Sequence, residues 1–206
     1  EAHELCEHKL KLLLGPETEN PIPNFKFYSP EMESCAIDYA SYVHEVFSKE
    51  QEKGLNPTIM IEQVVDISVF APECFGTADC IIISDKHLFI IDFKYGLGVR
   101  VDAYNNSQMR IYALGALEAF GSLYDIQSVS MTIYQPRLSN ISTEILERHE
   151  LYDWANNYLK PKAELAFSGD GELSSGPWCQ FCKVKAQCRK RADANLELAK
   201  YDFKKP

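Results

Sequence analysis

The stretch TADCIIISDKHLFIIDFKYG, residues 77–96, decides the fold. Two runs rich in β-branched and aromatic residues flank Asp85–Lys86, the composition of two strands joined by a two-residue turn. With Ser84 paired to His87, counting back along both strands sets Asp79 opposite Asp92, and directly opposed side chains in an antiparallel ladder have Cβ atoms roughly 5 Å apart. Lys94, two residues beyond Asp92, leaves the strand on the same side. Two carboxylates and an ammonium group are thereby predicted on one face of a hairpin that ends at Gly96.

Outward from this hairpin, IMIEQVVDISVF at 59–70 reads as a preceding strand. After Gly96 and Gly98 the periodicity changes, and a helix over about 103–120 is followed by a strand over about 126–134 that Pro136 closes. That connection is long enough for a crossover, so strands 87–94 and 126–134 are expected to run parallel. Helices are expected at 2–14, 32–52 and about 143–159, with a Pro- and Asn-rich loop over 15–30 and a Gly/Ser-rich stretch at 168–177 before a final helix. The order predicts an α/β (mixed α+β) core, a central mixed sheet flanked by helices. A single domain over 1–206 is expected, with core motifs in 59–135 and a cysteine-rich segment in 168–200.

Composition narrows the function classes. The 206 residues carry 21 Lys plus Arg against 30 Asp plus Glu, a formal charge of -9, which argues against a generally basic nucleic-acid surface. The local exception is Lys183, Lys185, Arg189, Lys190 and Arg191, either a phosphate-contacting strip or a solvated helix face. No apolar run approaches the roughly 18 residues of a membrane span. EAHELCEHKL at the start reads as a helix under way rather than a secretion signal, and as the remainder of a longer protein. Seven cysteines, unevenly spaced and odd in number, fit a reducing cytoplasm better than a disulfide framework.

Neighbouring carboxylates repel unless a cation or a shared proton relieves them. A hard ion such as Mg2+ between Asp79 and Asp92, with Lys94 alongside, would suit phosphodiester hydrolysis, which needs a metal, an attacking water and positive charge near the phosphorus. The plainer alternative is an ordinary ion pair on a solvated strand. Three features favour chemistry: a glycine in GTAD just before Asp79, His3 and Glu7 one helical turn apart, and Gln108 and Tyr112 likewise. Glu62 and Asp66 on the preceding strand are further acids, ranked below Asp79 and Asp92.

Taken together, His3 in AHELCE, Asp79 in GTAD, Asp92 and Lys94 in IIDFKYG, and Gln108 with Tyr112 in QMRIY resemble the motif series of RecB-like exonucleases. These form a branch of the PD-(D/E)XK nuclease superfamily that includes phage-encoded and CRISPR-associated iron-sulfur relatives. The resemblance implies a restriction-endonuclease-like core cutting linear or single-stranded DNA with Mg2+ or Mn2+. In it His3, Asp79 and Asp92 hold the metal, Lys94 is the catalytic lysine, and Gln108 and Tyr112 flank the site. Asp92 stands where that family often has glutamate. Recombination, repair or phage DNA processing, with recombination or phage proteins as partners, in a bacterial or phage-infected cytoplasm, is the implied setting. A catalytically inactive DNA-binding or assembly module and a hydrolase of small phosphorylated molecules are the alternatives.

WCQFCKVKAQC places Cys179, Cys182 and Cys188 in a C-x2-C-x5-C array, a spacing expected to hold a metal or cluster. By the same resemblance it implies a [4Fe-4S] staple with a fourth, upstream cysteine, for which Cys6, Cys35 or a residue before Glu1 are candidates. Zinc is the chemical alternative.

Overall fold

Ser84 N–H donates to His87 O at 2.9 Å, closing the two-residue turn at Asp85–Lys86. In the computed structural model, which describes residues 1–203, this turn joins β2 (Phe75–Ile83) to β3 (His87–Phe93). With β1 (Thr58–Asp66), β4 (Ser128–Gln135) and β5 (Asn140–Glu147) they form one sheet in the order β1-β2-β3-β4-β5. Only β3 and β4 run parallel, and α3 (Ser107–Phe120) makes the crossover between them. The Asn106 side chain starts α3 by accepting from the N–H groups of Gln108 and Met109, so the helix begins later than its apolar spacing suggests.

The central strands are buried on both faces, which explains why β2 and β3 read as near-continuous apolar runs. On one face α1 (Ala2–Leu14) and α2 (Pro30–Glu52) pack Leu5, Leu10 and Val43 against Ile82, Ile91 and Phe93. On the other, α3 sets Met109 and Leu114 against Ile81, Ile83, Ile90 and Met131. Each such side chain contributes roughly 1.5–3 kcal/mol by leaving water. A mixed α/β fold with a helix-flanked central sheet is thus what the residues build.

Two boundaries differ from expectation. The strand expected over 59–70 ends at Asp66, whose carboxylate accepts from the backbone and hydroxyl of Ser68 and turns the chain away. The helix expected from about 143 begins at 148, because residues 140–147 pair antiparallel with β4 as the sheet edge. On β5 the usual pattern is inverted. Asn140 and Glu144 are buried while Ile141 and Ile145 are exposed, since Glu144 receives two hydrogen bonds from the buried Arg110 guanidinium at 3.0 and 2.7 Å. After β5 come α4 (Arg148–Trp154), a π-helical turn (Ala155–Leu159) and α5 (Lys160–Ser168).

The chain divides into two compact units, residues 1–163 and 164–206. Positions 204–206 of the expected single domain lie outside the described residues. The second unit holds a short 3-10 turn (Pro177–Gln180) and α6 (Arg189–Asp202).

The cysteine staple is not formed. Among the described residues the sulfurs of Cys179, Cys182 and Cys188 do not converge to ligand spacing, and all seven cysteines are free thiols. Backbone hydrogen bonds shape this segment instead: Cys182 N–H donates to Cys179 O, Lys185 N–H donates to Cys182 O, and the Cys179 sulfur accepts from Gly176 N–H at 3.4 Å. Cys6 and Cys35 pack as small apolar side chains between α1 and α2, where burial pushes their thiols up, away from the thiolate that a metal needs. Among the described residues the chain thus builds neither the expected [4Fe-4S] staple nor its zinc alternative. No helix among the described residues is long and apolar enough to cross a membrane.

Candidate metal centre

The site grows from an interruption in the sheet. Pairing between β1 and β2 reaches Ile61↔Cys80 and resumes at Gln63↔Ala78, leaving Glu62 and Asp79 opposed but unpaired. Glu62 has φ 51°, a left-handed conformation that costs a non-glycine residue roughly 1–3 kcal/mol and recurs at functional sites. The interruption shifts the phase of both strands. Ile61 and Cys80 pack beneath α1 and α2, whereas Val65 and Ala78 pack beneath α3, although in an unbroken strand residues at even separation share a face.

From α1, His3 reaches this gap, its Nδ1 lying 3.3 Å from Asp79 Oδ1. The imidazole stands edge-on to the buried Phe93 ring at 5.5 Å. His3, Glu62 and Asp79 each offer one ligand atom, all mutually within 4.8 Å, and among the described residues no other group of three potential ligands does so. They line a pocket of about 10 Å³ together with Glu7, Cys6 and Phe93, close to the space one water occupies. The Asp79 contact raises the proton affinity of His3. Burial, then the charge of Asp79, raises that of Glu62.

The second half of the site lies on β3 and α3. The hairpin register is the expected one, but pairing stops at Cys80↔Ile91. Asp79 does not sit in a ladder pair with Asp92; its Oδ2 accepts from Phe93 N–H at 2.7 Å instead. Asp92 is 2% exposed. Lys94 Nζ lies 2.7 Å from Asp92 Oδ2, the charge partner of this buried carboxylate. Burial, followed by the charge of Asp79, pushes the Asp92 carboxyl up to about 6 against the pull of Lys94. Lys94 also donates to Gln108 Oε1 at 3.2 Å, and Gln108 Nε2 donates to Tyr112 OH at 2.9 Å.

The structure links the six expected site residues of the first unit through contacts, in a grouping different from the expected one. His3 and Asp79 belong to the ligand triad, while Asp92, expected beside Asp79 as a ligand, anchors Lys94. Glu62, ranked low from sequence, completes the triad. Its place opposite Asp79 follows from the register of β1 against β2, which no local sequence pattern fixed. Asp66 is occupied by the turn at Ser68 and takes no part. In the second unit, Arg189 pairs with Asp193, while Lys185 and Arg191 donate to backbone carbonyls, so part of the basic strip is spent locally.

An imidazole nitrogen with two carboxylates suits a divalent cation such as Mn2+ or Mg2+. The proton affinities of Glu62 and Asp92 are raised first by burial and next by the charge of Asp79, and a bound cation would offset both. The triad is able to coordinate such an ion, which gives the chain the potential for metal-dependent catalysis. This donor set carries metal binding in general and does not by itself specify nuclease or DNA-binding chemistry.

Over residues 1–206 the sequence matches the family described as "Protein of unknown function (DUF2800)". The chain belongs to that family. Among solved structures, the "Crystal structure of SSO0001" is similar over 91% of this DUF2800 chain and 95% of its own, at 15% identity and a TM-score of 0.39.

Proposed function

We propose that this DUF2800 protein is a divalent-metal-dependent deoxyribonuclease of the RecB-like, PD-(D/E)XK type, acting as an exonuclease on linear or single-stranded DNA in recombination, repair or phage DNA processing. The observation that carries the reading is the meeting of the His3–Glu62–Asp79 triad with a lysine held by a buried aspartate and by Gln108. When bound, Mg2+ or Mn2+ supplies Lewis acidity and lowers the pKa of a coordinated water. Lys94 orients the attacking water and offsets charge that develops on the phosphate oxygens. Asp92 holds the Lys94 ammonium within the site, and Gln108, fixed by Tyr112, sets the direction of that ammonium. Asp79, bonded to the backbone of β3 through one oxygen and facing His3 with the other, holds the two halves in register.

A second reading, hydrolysis of a small phosphorylated molecule, is favoured by the net charge of -9, which disfavours a long polyanion outside a local channel. The test is cleavage of end-labelled linear and circular DNA across a Mn2+ titration, with free nucleotides alongside and Lys94→Ala as control. Degradation of linear DNA, slowed about 100-fold or more by Lys94→Ala, is expected. Hydrolysis of nucleotides alone transfers the assignment to the second reading. Folded, Mn2+-saturated protein that cleaves none of these substrates refutes both.

A further inference from the structure

Gly76 lies on β2 opposite Val65 of β1, in an unbroken part of the ladder. It is not among the glycines with positive φ, so the backbone at this position makes no demand that only glycine meets. The demand comes from the space beside it. A Cβ on residue 76 would stand 2.7 Å from Cε1 of Tyr112, with Cδ1 and Cζ at 3.5 and 3.6 Å. That separation is closer than carbon atoms tolerate, and an aromatic ring in a packed helix face gives way only by turning or by shifting the helix.

Tyr112 is the far end of a chain of contacts that reaches Lys94. Its hydroxyl accepts from Gln108 Nε2 at 2.9 Å, and Gln108 Oε1 accepts from Lys94 Nζ at 3.2 Å. Because the amide of Gln108 is planar, its donor and acceptor ends move together. Displacing the Tyr112 ring therefore rotates the acceptor that Lys94 uses. Lys94 would keep its buried counter-ion Asp92, so the charge stays while its direction is lost.

We propose that Gly76 is a positioning residue: the absence of a side chain there seats the Tyr112 ring, which through Gln108 aims the Lys94 ammonium into the candidate metal centre. For turnover this rests on the role given to Lys94 above, whereas the geometric part stands independently of it. A glycine that precedes the Asp79 ligand by three residues thus acts on the opposite half of the site.

Gly76→Ala and Tyr112→Phe, compared by turnover and by the side-chain amide resonances of Gln108, test the proposal. Gly76→Ala is expected to shift the Gln108 amide signals and lower kcat about 10- to 100-fold with KM within about two-fold, the scale of a misplacement near 1 Å. Tyr112→Phe, which keeps the ring but removes the acceptor, shifts the same signals. In a Tyr112→Ala background Gly76→Ala should add nothing, because the atom it strikes is gone. If Gly76→Ala alone does not fold, folding of Gly76→Ala/Tyr112→Ala supports the proposal and failure of both overturns it. Unmoved Gln108 signals in a folded Gly76→Ala protein, or an equal loss in the Tyr112→Ala background, also overturn it. Wild-type protein without turnover counts against the proposed function alone, since the resonance comparison still decides the geometry.

Discussion

Two sets of potential ligands behave in opposite ways. Cys179, Cys182 and Cys188 are near neighbours in sequence, yet their sulfurs do not assemble, whereas His3, Glu62 and Asp79 come from a helix and two strands and do. Short spacing lets side chains meet but does not make them. In the cysteine segment, backbone hydrogen bonds of the turn and the start of α6 set the chain path, and among the described residues the sulfurs form no ligand group. In the triad, two core clusters hold α1, β1 and β2 in place, and a left-handed residue at a skipped ladder pair opens the gap into which the ligands turn. Convergence maintained against strain is the stronger mark of function.

The sharpest test of this contrast is Asp79→Asn. Calorimetric titration with Mn2+ should show affinity reduced by about 100-fold or more, since a charged ligand is lost and outer-shell changes alone reach that range. Retention of wild-type affinity would remove the triad from consideration.

Next in size is the pH dependence at Asp92. Its folded-state pKa, about 6, lies above the ordinary 3.8, so the folded protein binds this proton more tightly than the unfolded chain does. The contribution is fully present below about 4 and is lost as pH rises toward 6, by up to about 3 kcal/mol. Urea unfolding of metal-free protein should accordingly show a fall in stability across that window which Asp92→Asn abolishes. An unchanged slope in the variant would mean that Asp92 is solvated or already compensated.

Glu62→Gly should separate strain from ligation. Relief of the left-handed conformation is expected to stabilise the metal-free protein by about 1 kcal/mol, read as a higher Tm. Loss of the carboxylate should weaken Mn2+ binding about 10- to 100-fold. A variant that is less stable would show that the gap costs nothing to maintain.

The smallest effect belongs to the cysteines. Joint replacement of Cys179, Cys182 and Cys188 by serine should leave Mn2+ affinity within about two-fold of wild type, since these residues belong to no ligand group among the described residues. A larger change would show that these cysteines contribute to metal binding after all.

Much of the sheet was legible because its determinants are local. The two-residue turn at Asp85–Lys86 and the alternation on either side set the hairpin register, and the helix-length connection to β4 set the parallel pair. Strand β5 was not legible, since Asn140 and Glu144 occupy its buried face, satisfied by partners distant in sequence: Asn140 donates to Val101 O, and Glu144 accepts from Arg110 and Asn105. The order of Asp79, Asp92 and Lys94 within the site was half legible: their side of the hairpin followed from counting, but the ladder ends one pair before the two aspartates meet.

From its sequence alone the chain declares a helix-flanked mixed sheet and the types of side chain available for metal chemistry, because periodicity and turn composition act over a few residues. Only the tertiary structure decided that Glu62 joins His3 and Asp79, that Asp92 pairs with Lys94, and that the sulfurs of the clustered cysteines form no ligand group. Those outcomes depend on the broken pairing between β1 and β2 and on the packing of α1 and α3 against it, interactions between residues far apart along the chain whose strengths no local pattern records.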